Sequence, residues 1–344
     1  MKQRTILVTG GLGFIGSNFI RYFLAKYPEY KIVNADAETY AANSRNLDSV
    51  EKNSKYVFQS IDIRHKDSIK TIFARYQFTD IIHFAAETHV DNSISNPGIF
   101  VETNVLGTFN LLEAASTLWL DNPFSYKKEF SNSRFHHIST DEVFGTLGKI
   151  GYFTEETPYA PNSPYSASKA SSDMLVRSYH HTFGLNIVTS NCSNNYGPMQ
   201  HDEKFIPTII RKAFVNKEIP IYGNGENIRD WLYVEDHCRA IDKIFHNGKS
   251  GETYLIGGNN EKTNNEIVMT ICKYLDELHP QGKSYKNLIN YVSDRPGHDF
   301  RYAIDASKLK NDLNFIPKET FDTGIIKTIK WYLEKYKGAE MNGK

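Results

Sequence analysis

Residues 5–19, TILVTGGLGFIGSNF, run from a β-rich apolar stretch through spaced glycines straight into a helix-forming one. A strand, a tight glycine turn and a helix in that order constrain this chain more than any other feature. A helix that starts where a strand ends buries its apolar stripe by crossing back over the sheet, and the next strand then lies parallel to the first. The theme repeats. KIVNAD, KYVFQSID with SIKTIFARY, DIIHFAAE with TNVLGTFNLLEAASTLW, RFHHIST, SASKASSDMLVRSYHHTF and NIVTSNCS carry it to about residue 190. Short apolar runs, most followed by longer stretches of helical periodicity, predict a doubly wound α/β domain: a parallel sheet covered by helices on both faces.

The regularity breaks after Asn195. NNYGPMQHDEKFIPTII, IYGNGENIRDWLYVED and VSDRPGHDFRYAID are rich in Gly, Pro, Asn and charge, and helices are expected between and beyond them near 205–216, 235–246, 264–278 and 321–336. Long loops of that kind suit a substrate-facing part. The expected organisation is therefore a nucleotide-binding, catalytic domain over 1–195, a smaller and mainly substrate-binding α/β part over 196–338 from which segments can return to the main sheet, and a frayed tail over 339–344. DNPFSYKKEFSNS, 121–133, reads as a surface insertion.

Charge and cysteine usage exclude several functions. Lys plus Arg and Asp plus Glu each number 40, a formal charge of zero, so no global field favours nucleic acid or an anionic membrane surface. No apolar run approaches the roughly 20 residues that span a bilayer, and MKQRTILVTG reaches its glycine turn before a secretory apolar region forms. A cytoplasmic enzyme without nucleic-acid or membrane partners is the expectation. Cys192, Cys238 and Cys272 are too scattered for a disulfide framework. The histidines include the doublets His136-His137 and His180-His181, but no metal-ligand spacing accompanies them, so they read as packing or surface residues and no metal is expected.

Gly10, Gly13 and Gly16 form GxxGxxG between the first strand and its helix, where backbone amides and the positive end of the helix dipole favour a pyrophosphate. Asp36 ends KIVNAD twenty residues beyond Gly16, where an acid accepts hydrogen bonds from an adenosine ribose and repels a 2′-phosphate, so NAD is expected over NADP. Tyr165 and Lys169 make YxxxK on one face of an expected helix. A lysine ammonium beside a phenol is expected to stabilise the phenolate and lower its pKa from about 10 towards a useful base.

Across almost the whole chain the sequence resembles the extended short-chain dehydrogenase/reductases that act on nucleotide sugars, and among them the 4,6-dehydratases. The resemblance rests on TGGLGFIGSN at 9–18, HFAAETHVDNSI at 83–94, TNVLGT at 103–108, STDEVFG at 139–145, YSASKASSD at 165–173 and NNYGP at 194–198. KFIP at 204–207, PIYGNGENIRDWLYVEDH at 220–237 and DRPGHDFRYAID at 294–305 complete it. It implies a Rossmann-type fold with tightly bound NAD regenerated each cycle. It also implies a nucleotide-diphosphate hexose as substrate, dTDP-glucose before UDP-glucose, and a place in deoxysugar nucleotide synthesis of the rhamnose type.

Thr140, Asp141 and Glu142 set the dehydratases apart from the 4-epimerases of the same fold, which lack the acid pair. Removing water across C5 and C6 needs a base and an acid at one sugar, and two close, partly desolvated carboxyls keep one proton between them. The order within the pair comes from the resemblance, which implies Glu142 as C5 base, Asp141 as C6 acid, and Thr140 beside Tyr165 at the C4 oxygen. For NAD it implies Phe14 and Ile15, Asp36, Ala37, Glu38 and Thr39, Asp62 and Ile63, Phe84, Ala85, Ala86, Glu87 and Thr88, with Thr103, Tyr165, Lys169 and Asn195. For the sugar nucleotide it implies Thr88, Asn194, Lys204, Phe205, Pro220, Ile221, Tyr222, Arg229, Asn264, Asp294, Arg295, Pro296, Gly297 and His298. The amphipathic stretches 98–118 and 165–183 imply a homodimer through four helices. A UDP-hexose dehydratase, a 4-epimerase and a catalytically silent NAD sensor stand as alternatives on the same scaffold.

Overall fold

The structure is a computed structural model that describes residues 4–294 and 299–342. The first part alternates β1 (Thr5–Thr9), α1 (Phe14–Lys26), β2 (Lys31–Asp36), β3 (Tyr56–Ser60), α2 (Lys66–Tyr76) and β4 (Asp80–His83). A helical run follows, α3 (Val90–Ser95), α4 (Pro97–Phe100) and α5 (Thr108–Trp119), with a π-helical segment, Val101–Gly107, joining the last two. After a small hairpin, β5 (Leu120–Asn122) and β6 (Ser125–Tyr126), come β7 (Arg134–Thr140), α6 (Pro164–Phe183) and β8 (Ile187–Cys192). The rest comprises β9 (Asn194–Tyr196), α7 (Phe205–Phe214), β10 (Ile219–Tyr222), β11 (Ile228–Tyr233), α8 (Val234–Asn247) and β12 (Thr253–Ile256). It ends with β13 (Glu261–Thr263), α9 (Asn264–Leu278), β14 (Ile289–Val292), α10 (Ser307–Leu313) and α11 (Phe321–Asn342).

Seven strands form one sheet in the order β12-β8-β7-β4-β1-β2-β3, every neighbouring pair parallel. Alternate residues supply its two cores, as a strand's period of two requires. Ile6, Val8, Ile32, Ile82 and Ile138 face one side with Phe19 and Phe23 of α1 and Ile241 of α8, while Leu7, Val33, Ile81 and Phe135 face the other with Leu111 of α5 and Val176 of α6. A third core joins α7, α9 and α11 to β10 and β11. The doubly wound prediction holds, and β12 joins the main sheet while α8 packs in its first core.

Two local readings change, and the histidine doublets fall where they were expected, as packing and surface residues. The stretch 121–133 does more than decorate the surface: Phe130 is buried in the second core, Phe124 N–H donates to Phe183 O, and Tyr126 Oη accepts from Asn186 N–H. It closes the foot of the sheet. The expected tail is largely helical, since α11 continues to Asn342. His136 and His137 are fully buried on β7, with Nε2 atoms 3.0 Å from Ser190 Oγ and from Asp173 Oδ1 respectively, whereas His181 is exposed.

Candidate active site

The strand order reverses between β1 and β4, and the carboxyl ends of β1, β2, β4, β7 and β8 open there into one cavity, where open α/β sheets bind ligands. Gly10 takes a φ of +71°, and a Cβ on it would stand 2.6 Å from Ala85 N. A Cβ on Gly16 would lie 2.3 Å from Gly10 O. α1 begins beyond Gly13 with no side-chain cap and no acid in its first turn, leaving its first N–H groups available to an anion. Gly11 was not among the expected glycines, yet a Cβ there would strike Asn34 Oδ1 at 2.2 Å, the atom that accepts the Gly11 N–H. The loop needs this fourth glycine because the buried Asn34 side chain occupies the space.

Asp36 has a role besides the expected one. Its Oδ2 accepts Leu12 N–H and its Oδ1 accepts Glu38 N–H, each at 2.9 Å, so it ties the glycine loop to the end of β2. Burial pushes its pKa up, against the pull of those two amides. Of the expected cofactor residues, Gly10, Gly13, Phe14, Ile15, Gly16, Asp36, Ala37, Thr39, Asp62, Ile63, Phe84 to Thr88, Thr103, Tyr165, Lys169 and Asn195 line the cavity. Glu38 does not line it; its contribution is the backbone amide held on Asp36 at a φ of +54°.

Asn104, which sequence reasoning missed, sits in the π-helical segment and fixes the 84–88 loop. Its Oδ1 accepts Glu87 N–H at 2.8 Å, and its Nδ2 donates to Glu87 O at 3.0 Å and to Ser168 Oγ at 2.8 Å. A π-helical segment commonly marks a functional position. The only signal available in the sequence was a polar residue on the buried side of an otherwise apolar helix.

β7 delivers the acid pair. Its last residue, Thr140, caps a single 3₁₀ turn, Asp141–Phe144, by accepting Glu142 N–H at 3.3 Å. Asp141 is 2% exposed; Thr140 Oγ1 donates to its Oδ1 at 3.4 Å, and its Oδ2 has no protein hydrogen-bond partner among the described residues. Burial first, and then the charges of Glu142 and Asp230, push the Asp141 pKa well above the ordinary carboxyl range, opposed by Arg229. That direction favours the neutral acid at Asp141, and Glu142 lines the same cavity.

α6 begins at Pro164 behind a Ser163–Ser166 capping box, which places Tyr165 in the first turn and Lys169 one turn later. The expected lowering of the Tyr165 pKa does not appear in this structure. Enclosure and the neighbouring Glu142 push the phenol well above its usual pKa, with a Thr140 hydrogen bond pulling the other way. The Lys169 ammonium meanwhile donates to Ile138 O at 2.9 Å, and burial lowers its pKa against the pull of Asp173.

Of the expected sugar-nucleotide residues, Thr88, Thr140, Asp141, Glu142, Asn194 and Lys204 share this cavity, whereas Phe205, Pro220, Ile221, Tyr222, Arg229 and Asn264 do not line it. Ile221 corrects the motif reading, since its side chain alternates inward and is fully buried in the third core while Tyr222 points out at 41% exposure. Phe205 packs against that core with its ring stacked 6.4 Å from Trp231. Arg229 is 6% exposed and lies over the Tyr302 ring, donating to the carbonyls of Ile228 at 2.7 Å and Asp299 at 2.9 Å. It anchors the returning chain instead of standing as an open diphosphate fork. Asn264 opens α9 with its N–H on Asn227 O, and Asp294 sits beside Gly223. Arg295, Pro296, Gly297 and His298 lie outside the described residues.

Fold and site together define a Rossmann-type scaffold of the short-chain dehydrogenase/reductase kind, with Tyr165, Lys169 and the adjacent acids Asp141 and Glu142 lining one cavity. Residues 7–328 match the family model described as GDP-mannose 4,6 dehydratase, and the chain belongs to that family. It is similar to the dTDP-glucose 4,6-dehydratase of Escherichia coli, 53% identical over 95% of this chain and 93% of that one. The dTDP-glucose 4,6-dehydratase of Neisseria meningitidis is 51% identical, over 96% and 94%. The crystal structure of the Bacillus anthracis dTDP-glucose 4,6-dehydratase in complex with NAD superposes with a TM-score of 0.85 at 46% identity, covering 97% of this chain and 98% of that one.

Proposed function

We infer that the chain is an NAD-dependent hydro-lyase that converts dTDP-glucose to dTDP-4-keto-6-deoxyglucose and water. The carrying observation is the Asp141 carboxyl, buried and without a protein partner on Oδ2 among the described residues, its pKa pushed up by burial, in the cavity that also presents Tyr165 and Glu142. Chemistry at C4 alone needs one hydroxyl group exchanging a proton; a second, stored proton is what departure of a hydroxyl requires.

The cradle fits a dinucleotide, because its Cβ-free approach at Gly10 and Gly16 lets backbone amides meet a pyrophosphate. Phe14 and Ile15 at the helix start, Asp36 at the ribose, Asp62 and Ile63 at the adenine and Lys169 farther in would hold it. When bound, NAD would supply a positive charge and a reversible store for the hydride that C4 loses and C6 gains. Tyr165, hydrogen-bonded with Thr140, would take the proton of the C4 hydroxyl as the phenolate, the form that the positive charges of Lys169 and of bound NAD favour. Oxidation at C4 makes the C5 hydrogen acidic, and Glu142 takes it. Asp141 gives its proton to the C6 hydroxyl, which leaves as water. Glu142 then returns a proton to C5, Tyr165 releases the proton it took while Asp141 regains one from solvent, and the cycle closes without net oxidation.

Purified protein incubated separately with dTDP-glucose and UDP-glucose provides the test. Loss of one water mass from dTDP-glucose is expected, and a product of unchanged mass would identify an epimerase and overturn the reading. The proposal extends to a homodimer, supported by the half-exposed Ile94, Val101, Leu106 and Met174 on the adjoining α3, π-helical segment and α6. It extends also to a reducing cytoplasmic setting, supported by three buried, unbridged cysteines. No described helix is long and apolar enough to cross a membrane.

A further inference from the structure

Tyr165 and Lys169 are followed, at the same helical spacing, by Asp173. The three residues share one face of α6, and Asp173 is the one that the reaction as drawn leaves without a task. It is 4% exposed and hydrogen-bonded to groups from β7, β8 and the loop that follows the acid pair. From β7, Ser139 Oγ donates to Oδ2 at 2.8 Å and His137 Nε2 lies 3.0 Å from Oδ1. From β8, Asn191 Nδ2 donates to Oδ2 at 3.2 Å and also to Thr140 O at 3.0 Å. From the loop after the acid pair, Tyr159 Oη donates to Oδ2 at 3.0 Å. Three donors on one oxygen are a setting for a carboxylate anion.

We propose that Asp173 is a positioning residue: the buried countercharge that keeps Lys169 an ammonium and that locks the end of β7 against α6. The inference rests on the dehydratase reading above. Lys169 donates to Ile138 O, one residue before the serine that Asp173 holds, so the carboxylate one helical turn along α6 secures the strand segment that gives the ammonium its acceptor. An isolated ammonium at this depth would lose its proton. The surrounding groups give little other help. From β4, His83 is buried between Thr9 Oγ1 and Thr108 Oγ1; from β7, His137 adjoins it; and burial together with Lys169 itself disfavours a charge on either ring. From β8, Cys192 is a thiol pushed up to about 12 by burial. From the turn after β7, burial pushes the Asp141 carboxyl towards its neutral form, while Glu142 acts on Tyr165, the remaining group on this helix face; Tyr159 is a phenol pushed well up by burial. Asp173 is the anion whose pull on Lys169 ranks next after burial.

The test compares wild type with Asp173→Asn, and with Asp173→Ser as a second uncharged replacement should the amide fail to fold, each checked by circular dichroism. Lys169 is titrated by NMR of ε-¹³C-labelled lysine, which needs no turnover. C4 oxidation is followed in single turnovers against pH, a step upstream of Asp141. The expected result is a Lys169 titration lower by one pH unit or more, a high-pH limb of C4 oxidation displaced to lower pH by the same amount, and about 10²-fold lower kcat at neutral pH with KM within threefold. Asp173→Glu, which keeps the charge, is expected to restore the titration. Unmoved Lys169 titration and an unmoved limb in a folded variant overturn the proposal, however much activity falls. Failure of the wild type to release water overturns the dehydratase reading instead, and the Lys169 titration then still decides whether Asp173 is its countercharge.

Discussion

Asp141 and Glu142 are adjacent in sequence, yet the 3₁₀ turn sends the first into full burial and leaves the second partly exposed at the cavity wall. Different surroundings give two like groups different protonation, which is how an acid and a base coexist. Replacing Glu142 by Gln keeps C4 oxidation and slows water loss by about 10²- to 10⁴-fold, the usual scale for a general base. The check is accumulation of reduced cofactor absorbance without a dehydrated product, and near-normal turnover would sink the role. Asp141 works in its protonated form, so its raised pKa predicts that elimination is sustained below that pKa and fades as pH rises through it. In Asp141→Asn, elimination is slow and that high-pH limb is gone; a retained limb would assign it elsewhere. Residue types were legible in the sequence because STDEVF and YSASKASSD match as words, but side-chain direction was not. Arg229 matches a motif and is spent on carbonyls, and Ile221 matches one and lies in a core. The direction in which Tyr165 shifts depended on burial, which a four-residue spacing does not encode.

At the scale of elements, α1 and α8 are joined by one buried acid. Asp242 Oδ2 accepts Tyr22 Oη at 2.7 Å and Lys26 Nζ at 2.5 Å, while Oδ1 accepts Tyr27 Oη at 2.9 Å and lies 2.8 Å from His246 Nδ1. Burial opposes its charge, but these partners prevail and lower its pKa to about 2. A carboxylate depressed from an unfolded value of about 3.9 contributes its stability fully above that value and loses it as pH falls through about 2, a contribution on the order of 2 kcal/mol. Thermal unfolding of Asp242→Asn against pH is therefore expected to show a lower Tm than wild type at neutral pH, with the two curves converging in that acid window. A constant gap down to the lowest pH would contradict the staple. A second prediction belongs to the first loop: Gly16→Ala puts a Cβ 2.3 Å from Gly10 O. The clash is expected to weaken NAD binding by at least about tenfold, 1.4 kcal/mol, read by fluorescence quenching, and unchanged affinity would show that the loop yields. Helices and strands were legible where periodicity was long. TYLI, four residues between loops, gave no hint that it would pair with β8, because a strand's neighbour is fixed by the whole sheet and not by the strand. The π-helical segment was equally hidden within a helix of ordinary pattern.

For the whole molecule, three cores account for most large apolar side chains, which gives weight to those left outside. Val101 and Leu106 flank Thr103 and Asn104 on the π-helical segment; Thr103 lines the cavity and Asn104 turns inward to its 84–88 loop, while their apolar neighbours stay 52% and 51% exposed. Met174, 58% exposed, directly follows Asp173 on α6. Helix faces of this kind, contiguous and apolar, are suited to a copy of themselves, and a two-fold axis would bring each residue into the interface twice. A dimer in solution is therefore expected, and the same symmetry sets the size of its weak point. A buried, unpaired carboxylate costs about 3–5 kcal/mol, and symmetry doubles it, so Leu106→Glu is expected to raise the dissociation constant by well over about 10³-fold, at 1.4 kcal/mol for each factor of ten. Sedimentation velocity at micromolar concentration checks this, with circular dichroism to establish that the protomer remains folded. A wild type that sediments as a monomer, or a folded Leu106→Glu that stays dimeric, would place the subunit contact elsewhere and leave these faces without that partner.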